Sequence, residues 1–189
     1  NIEDLIQEEE VAVTLSHTGY VKRIPVDTYR TQGRGGRGVT GMGTKEEDFV
    51  DKLIVTSSHA HMLFFTNRGR LYWTRVYEIP EGNRTSKGKA IVNLLQLSGN
   101  EEEITAAIPI VSFDAKEIKD EHLLMCTRKG IIKKIALTEF DNPRKAGIIA
   151  IKLDDGDVLI DVKRIEKNPE VIIATKKGIV KKTSISDFD

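Results

Sequence analysis

Two arginines stand among four glycines in the segment Gln32-Gly33-Arg34-Gly35-Gly36-Arg37-Gly38. Glycine carries no Cβ, so such a backbone reaches positive φ and comes close to a ligand. Its amides can then point outward as anion donors. Arginine adds a planar, permanently charged fork that matches phosphate oxygens. A loop of this make-up suits a phosphodiester backbone. The spacing Gly33-x-Gly35-x-x-Gly38 also fits the dinucleotide fingerprint, but that site needs a helix opening at the glycines. The following Val39-Thr40-Gly41-Met42-Gly43 is hostile to helix. Nor is Gly82 to Gly88-Lys89 a Walker loop, because five residues intervene and Ala90 stands where a hydroxyl is required.

Other reactive side chains make no constellation. His59-Ala60-His61 offers two imidazoles without a third ligand nearby, which falls short of a metal site. No Ser/His/Asp or Cys/His arrangement emerges from spacing, so no catalytic residue and no metal are expected. The single cysteine, Cys126, lies in an apolar run. It has no internal disulfide partner, which points to a reducing cytosol. No signal peptide and no bilayer-spanning apolar run are present, so a cytoplasmic, nucleoid-associated location is expected. The chain starts at Asn1 and ends in mid-pattern, which suggests a piece of a longer polypeptide.

The elements that would position the arginine loop form a repeat. Four segments share one pattern: Ser16–Arg23, Thr66–Trp73, Thr127–Lys134 and Thr175–Lys182, with glycines at 19, 69, 130 and 178. Apolar runs precede and follow each glycine, as in a tight hairpin. Ten residues past the glycines come Tyr29, Ile79, Phe140 and Phe188, and the next loops close on Gly38, Gly88 and Gly147. Two further β-like runs follow in each complete unit: Ala90–Leu97 and Ile104–Val111, then Ile148–Leu153 and Val158–Ile165. Four short antiparallel strands per unit indicate an all-β, propeller-like fold of about three and a half blades. Many of the runs are continuously apolar rather than alternating, as in strands covered on both faces. Helical period is absent, and 114–121 allows at most a short turn.

Lys and Arg balance Asp and Glu at 29 each, so the basic excess typical of nucleic-acid binders is missing. The charges are nonetheless segregated. Acids cluster at Glu8-Glu9-Glu10, Glu46-Glu47-Asp48, Glu101-Glu102-Glu103 and Asp154-Asp155-Gly156-Asp157. Bases recur before each closing glycine: Arg34 and Arg37, then Arg84 and Lys87 with Lys89 just beyond, then Arg144 and Lys145. Hairpin ends add Arg68, Arg70, Arg128 and Lys129. In a radial array, like positions of successive blades share one perimeter, so these bases are expected to form a curved band. Lysines that protect hairpin edges account for some of them, but not for the glycine-framed arginines.

The stretch Tyr29–Met42 resembles the GyrA-box of the DNA gyrase A family. Glu46-Glu47-Asp48-Phe49-Val50, Met62–Arg70, Tyr77-Glu78-Ile79-Pro80 and Val92-Asn93-Leu94-Leu95 resemble the segments around the box, which the topoisomerase IV paralogue shares more widely. The family pattern is Gln, two basic residues, two glycines, a basic residue and Gly. Gln32, Arg34, Gly35, Gly36, Arg37 and Gly38 match it, whereas Gly33 departs and removes one phosphate contact. The resemblance implies a C-terminal β-pinwheel over 1–189, or part of one, with repeats at about 11–60, 61–121, 122–169 and 170–189. It implies that double-stranded DNA wraps around the basic rim, without sequence readout, so that gyrase introduces negative supercoils. Its implied partners are the gyrase B subunit, together with the rest of the gyrase A subunit. No cofactor is implied in this chain; ATP, magnesium and the cleaving tyrosine belong elsewhere in the holoenzyme. The alternatives are the topoisomerase IV domain and a protein-interaction propeller.

Overall fold

The computed structural model describes residues 1–26, 48–99, 101–166, 170–174 and 180–184. The first hairpin is β1 (Glu10–Ser16) and β2 (Tyr20–Pro25), followed by β3 (Val50–Ser57). The second unit holds β4 (His61–Thr66), β5 (Arg70–Arg75), the two-residue β6 (Lys89–Ala90), a single helical turn α1 (Ile91–Leu94) and β7 (Ile104–Ile110). A second turn, α2 (Ala115–Ile118), is capped by the Asp114 side chain. The third unit holds β8 (Glu121–Thr127), β9 (Ile132–Ala136), β10 (Ile148–Ile149) and β11 (Leu159–Glu166). A last hairpin pairs β12 (Glu170–Ala174) with β13 (Val180–Ser184). The expected all-β class of antiparallel blades holds. The arginine loop, with Gln32, Arg34, Gly35, Gly36, Arg37 and Gly38, lies outside the described residues.

Sequence order misleads about which strands share a sheet. The first sheet runs β3-β1-β2-β6 and the second runs β10-β5-β4-β7. The outer strand of each of these two blades therefore comes from the next unit in the chain. Ala90–Leu97 and Ile148–Leu153, read as full strands of their own units, instead pair only through Ala90 (with Lys89 just before it) and through Ile148–Ile149, on the preceding blade. Ile91 N–H donates to Gly19 O (2.8 Å), and Ala150 N–H donates to Gly69 O (2.8 Å). The same joint is thus made twice, at the carbonyl of the hairpin glycine. The third sheet, β11-β8-β9, has three strands among the described residues.

The opposite edges converge, with β7 packing beside both β3 and β11. These three strands form a hub, and the exchanged strands β6 and β10 lie on the outer edges. Side-chain alternation on β4 explains its unbroken apolar run. Met62 and Phe64 pack with Val11, Val13 and Val21 of the first blade. Leu63 and Phe65 pack with Leu123, Met125 and Phe140 of the third. Burying one such side chain stabilises by roughly 1.5–3 kcal/mol, so the middle blade is held from both faces. Ile79 and Phe140, ten residues past their glycines, are both buried in these cores.

Crossing onto the neighbouring blade dictates the closing glycines. Gly88 has φ 86° and Gly147 φ 73°. A Cβ on Gly88 would stand 2.4 Å from Val21 O, and one on Gly147 would stand 2.9 Å from Leu71 O. Gly130 has φ 89° with open space around it. Gly130→Ala is expected to cost about 1–2 kcal/mol from the left-handed backbone alone. Gly88→Ala and Gly147→Ala add a steric term of about 1–3 kcal/mol. Denaturant unfolding of the three variants checks this order.

Candidate nucleic-acid interface

The segment 76–90 is laid along β2 and fastened there at several points. A short 3-10 turn (Val76–Glu78) buries Val76 and leads into it. Arg23 Nε donates to Ile79 O (2.7 Å), Gly82 N–H donates to Arg23 O (3.0 Å), and the Arg23 guanidinium lies 3.7 Å from Glu81. Beyond Gly82 the chain folds into a tight loop around Asn83. Asn83 Oδ1 accepts from the Thr85 and Ser86 amides (3.0 and 2.8 Å), and Ser86 Oγ donates to Asn83 O (3.0 Å). Asparagine suits this place because its side chain mimics a backbone turn.

This loop sets Arg84, Lys87 and Lys89 on the outer edge of the first blade. Arg84 is half-buried, whereas Lys87 and Lys89 are exposed. Lys87 Nζ lies 4.0 Å from the centre of the Tyr20 ring, a cation–π contact that fixes the stem and leaves the ammonium at the surface. Beneath the loop sits Lys22, fully buried. Its ammonium donates to Asn83 O (2.8 Å), Arg84 O (3.3 Å) and Ser86 O (2.8 Å). Burial holds it below the ordinary lysine pKa of 10.5.

The second blade carries the equivalent loop. Arg144 and Lys145 are exposed and flank a shallow cleft with His61, Trp73 and Arg75. Arg70 Nη2 donates to Ala146 O (3.1 Å), and its guanidinium lies 5.6 Å from the Tyr72 ring centre. Arg70, expected as a surface contact, therefore also tethers this loop. Burial, aided by the Arg75 charge, pushes the His61 imidazole down to about 4. His59 Nε2 lies 2.7 Å from Ile6 O, and His61 stacks edge-on against Phe113. Both imidazoles thus have structural neighbours.

Hairpin-tip bases have different surroundings. Arg68 pairs with Glu101 at 3.4 Å. Arg128 Nη2 donates to Gly156 O (2.8 Å) and Lys129 Nζ to Asp155 O (2.5 Å). These three therefore lie against the acidic loops, apart from the outer-edge group. At the hub, Glu8, Glu9 and Glu10 line the cleft that Arg164 shares. The acid runs and the basic loops thus lie apart, although Glu78 shares the cleft of Arg144 and Lys145 and Glu81 pairs with Arg23 on the outer-edge segment.

The acid runs also have a use that composition did not reveal. One carboxylate from each of three runs clasps a hairpin turn. Asp48 Oδ1 accepts from the Thr18 and Phe49 amides (3.1 and 3.0 Å). Glu102, which is buried, accepts from Thr66 Oγ1 (2.9 Å) and the Ser98 amide (2.6 Å). Asp157 Oδ1 accepts from the Lys129 and Val158 amides (3.0 and 2.9 Å). The only signal in the sequence was a recurring acid upstream of an apolar run, which reads equally well as solvated charge.

Known proteins share this architecture. A family model described as DNA gyrase C-terminal domain, beta-propeller, matches residues 11–57, 60–110, 121–166 and 169–189. The DNA gyrase A polypeptide of Clostridium acetobutylicum is 53% identical over 163 residues, covering 86% of this chain and 19% of that protein. The chain thus spans about a fifth of the length of that relative. A solved C-terminal domain of DNA topoisomerase IV superposes with a TM-score of 0.75 at 26% identity, covering 94% of this chain and 52% of the other. A DNA gyrase A C-terminal domain gives 0.69 at 30% identity, covering 95% and 56%.

The clasps set a pH dependence. Burial works against ionisation of Asp157, but the Thr127 hydroxyl and the two amides outweigh it and bring its pKa below 3.8. In Asp48, hydrogen bonds centred on Thr18 likewise overcome burial and lower it. A carboxylate depressed in the folded state stabilises fully above its unfolded pKa and loses that contribution as pH falls through the folded value. The denaturant midpoint is expected to drop as pH falls below about 4, with a shallower decline in Asp157→Asn. Equal slopes in the two proteins would remove the clasp from the acid transition.

Proposed function

The chain belongs to the DNA gyrase C-terminal-domain family of β-propellers, and from that premise we propose that it binds duplex DNA along its basic outer edge. In this reading it is the accessory domain that bends and wraps DNA for a gyrase-type topoisomerase. One observation carries the proposal: the exchange loops bring Arg84, Lys87 and Lys89, then Arg144 and Lys145, to the same outer edge of consecutive blades. Arg34 and Arg37, with the glycines around them, are proposed to anchor one end of the path. Arg68 contributes more weakly, because Glu101 pairs with its charge; Arg70, Arg128 and Lys129 keep their charge but have donors committed to backbone carbonyls.

Bending a 20–30 bp site smoothly costs roughly 1–6 kcal/mol. Two arginines cannot offset that, but a series of loops can, since each neutralised phosphate releases counterions. Contacts of this kind carry no base code, so binding without sequence preference is expected. The bond-breaking chemistry, ATP and magnesium are assigned to other parts of the holoenzyme, and the partners are the gyrase B subunit plus the remainder of the gyrase A polypeptide. A cytoplasmic setting goes with that assignment; no helix among the described residues is long and apolar enough to cross a membrane. The topoisomerase IV domain shares the shape, while the sequence likeness favours gyrase.

Replacing Arg34 and Arg37 by Ala should weaken duplex binding at every sequence and flatten log K against log salt by about 0.9 per lost contact. Arg144→Ala with Lys145→Ala should act in the same direction. In the assembled enzyme these changes are expected to impair supercoiling and to spare relaxation. An unchanged salt slope removes these residues from the path, and equal loss of both activities marks a folding defect.

A further inference from the structure

We propose that Lys22 is a positioning residue for DNA binding, which holds the Arg84–Lys87 loop against the first blade from below. The inference rests on the proposed reading of the outer edge as a duplex-binding surface. A fully buried lysine is unusual, because the ammonium must recover inside the protein the hydrogen bonds it gives up in water. Lys22 recovers three of them from Asn83 O, Arg84 O and Ser86 O. All three acceptors belong to one loop, and that loop comes from the next unit, about sixty residues on in the chain.

The loop is shaped to receive it. A Cβ on Gly82 would lie 3.2 Å from Lys22 Cδ and 2.5 Å from Ser86 Oγ. Gly88 passes over Val21 and Lys22 with φ 86°. With three carbonyls drawn inward to the ammonium, the loop is held down on the blade, with Lys87 exposed and Arg84 half-buried at its surface. Arg84 supplies one of those carbonyls and Lys87 follows directly on another, so the placement of both residues follows from the contact underneath. The second blade has Tyr72 at the matching position, three residues after the hairpin glycine. There the ring lies against Gly147, and Arg70 supplies the tether to Ala146 O. The two loops thus share a place and differ in their fastening.

The test is a double-mutant cycle in the full chain. Binding of a plain duplex is measured across a salt series for the unaltered protein, Lys22→Met, Arg84→Ala/Lys87→Ala and the triple variant. The Arg84/Lys87 pair should flatten the salt slope by about 1.8, at 0.9 per contact. Lys22→Met, which touches neither outward charge, should lose a comparable part of that slope and add little in the triple variant. Asn83→Ala loosens the same loop with Lys22 intact and should reproduce the change. Amide exchange in Lys22→Met should quicken over 82–88 and stay unchanged in β4 and β5.

An equal loss from Lys22→Met in both backgrounds, or an unchanged slope with a loosened loop, overturns the inference. If Lys22→Met does not fold, an unchanged slope in Asn83→Ala overturns it. If the Arg84/Lys87 pair itself has no effect, the reading of this edge as a binding surface fails instead.

Discussion

A hairpin edge with no partner is the constraint on which this structure turns. An exposed strand edge leaves a row of amides and carbonyls unpaired and invites association with other chains. The first two blades resolve it the same way, by taking two residues from the following unit. The joints at Gly19 O and Gly69 O are short, but they decide where everything else goes. To reach them the chain must leave its own blade, run along the neighbour and cross its edge strand at a glycine. The basic loops are the part of that path left outside. Their location on the outer edge is a product of the exchange.

Electrostatics then sorts what topology has laid out. Exposed ion pairs contribute about 0–1 kcal/mol each, so none of these contacts holds the fold by itself. Their effect lies in placement. One acid from each of three runs takes a hairpin clasp, and Glu8–Glu10 take the hub. Bases on the outer edge are fastened through carbonyls, as in Lys22 and Arg70, or over an aromatic face, as in Lys87. A carbonyl satisfies the donors of a cation without cancelling its charge. The net neutrality of the chain therefore conceals a strongly polar arrangement.

Much of this was legible in the sequence. Glycines at 19, 69 and 130 marked the hairpins, because a tight turn requires positive φ and the flanking runs carry β-type residues. The continuous apolar character of Met62–Phe65 correctly indicated cover on both faces, since odd and even residues divide between two neighbours. Other features were hidden for physical reasons. Periodicity reports that a run is strand-like and not which sheet receives it, so the exchange could not be read. Ala90–Leu97 looked uniformly extended, yet only its first residue pairs before α1 begins. Lys22 resembled any surface lysine, because burial depends on acceptors about sixty residues away. Arg68, Arg128 and Lys129 counted as rim charges until their acidic neighbours were placed in space. The arginine-glycine loop lies outside the described residues, and its role rests on its composition and family.

The exchange joint has a further consequence for how such a molecule is assembled from units. The two seams among the described residues are made from the same ingredients: a turn glycine's carbonyl, an incoming amide and a second glycine that lets the backbones cross. A unit inserted or excised at that seam meets the chemistry its predecessor met. The number of blades, and so the length of the outer arc, can change by whole modules without a new interface having to be devised.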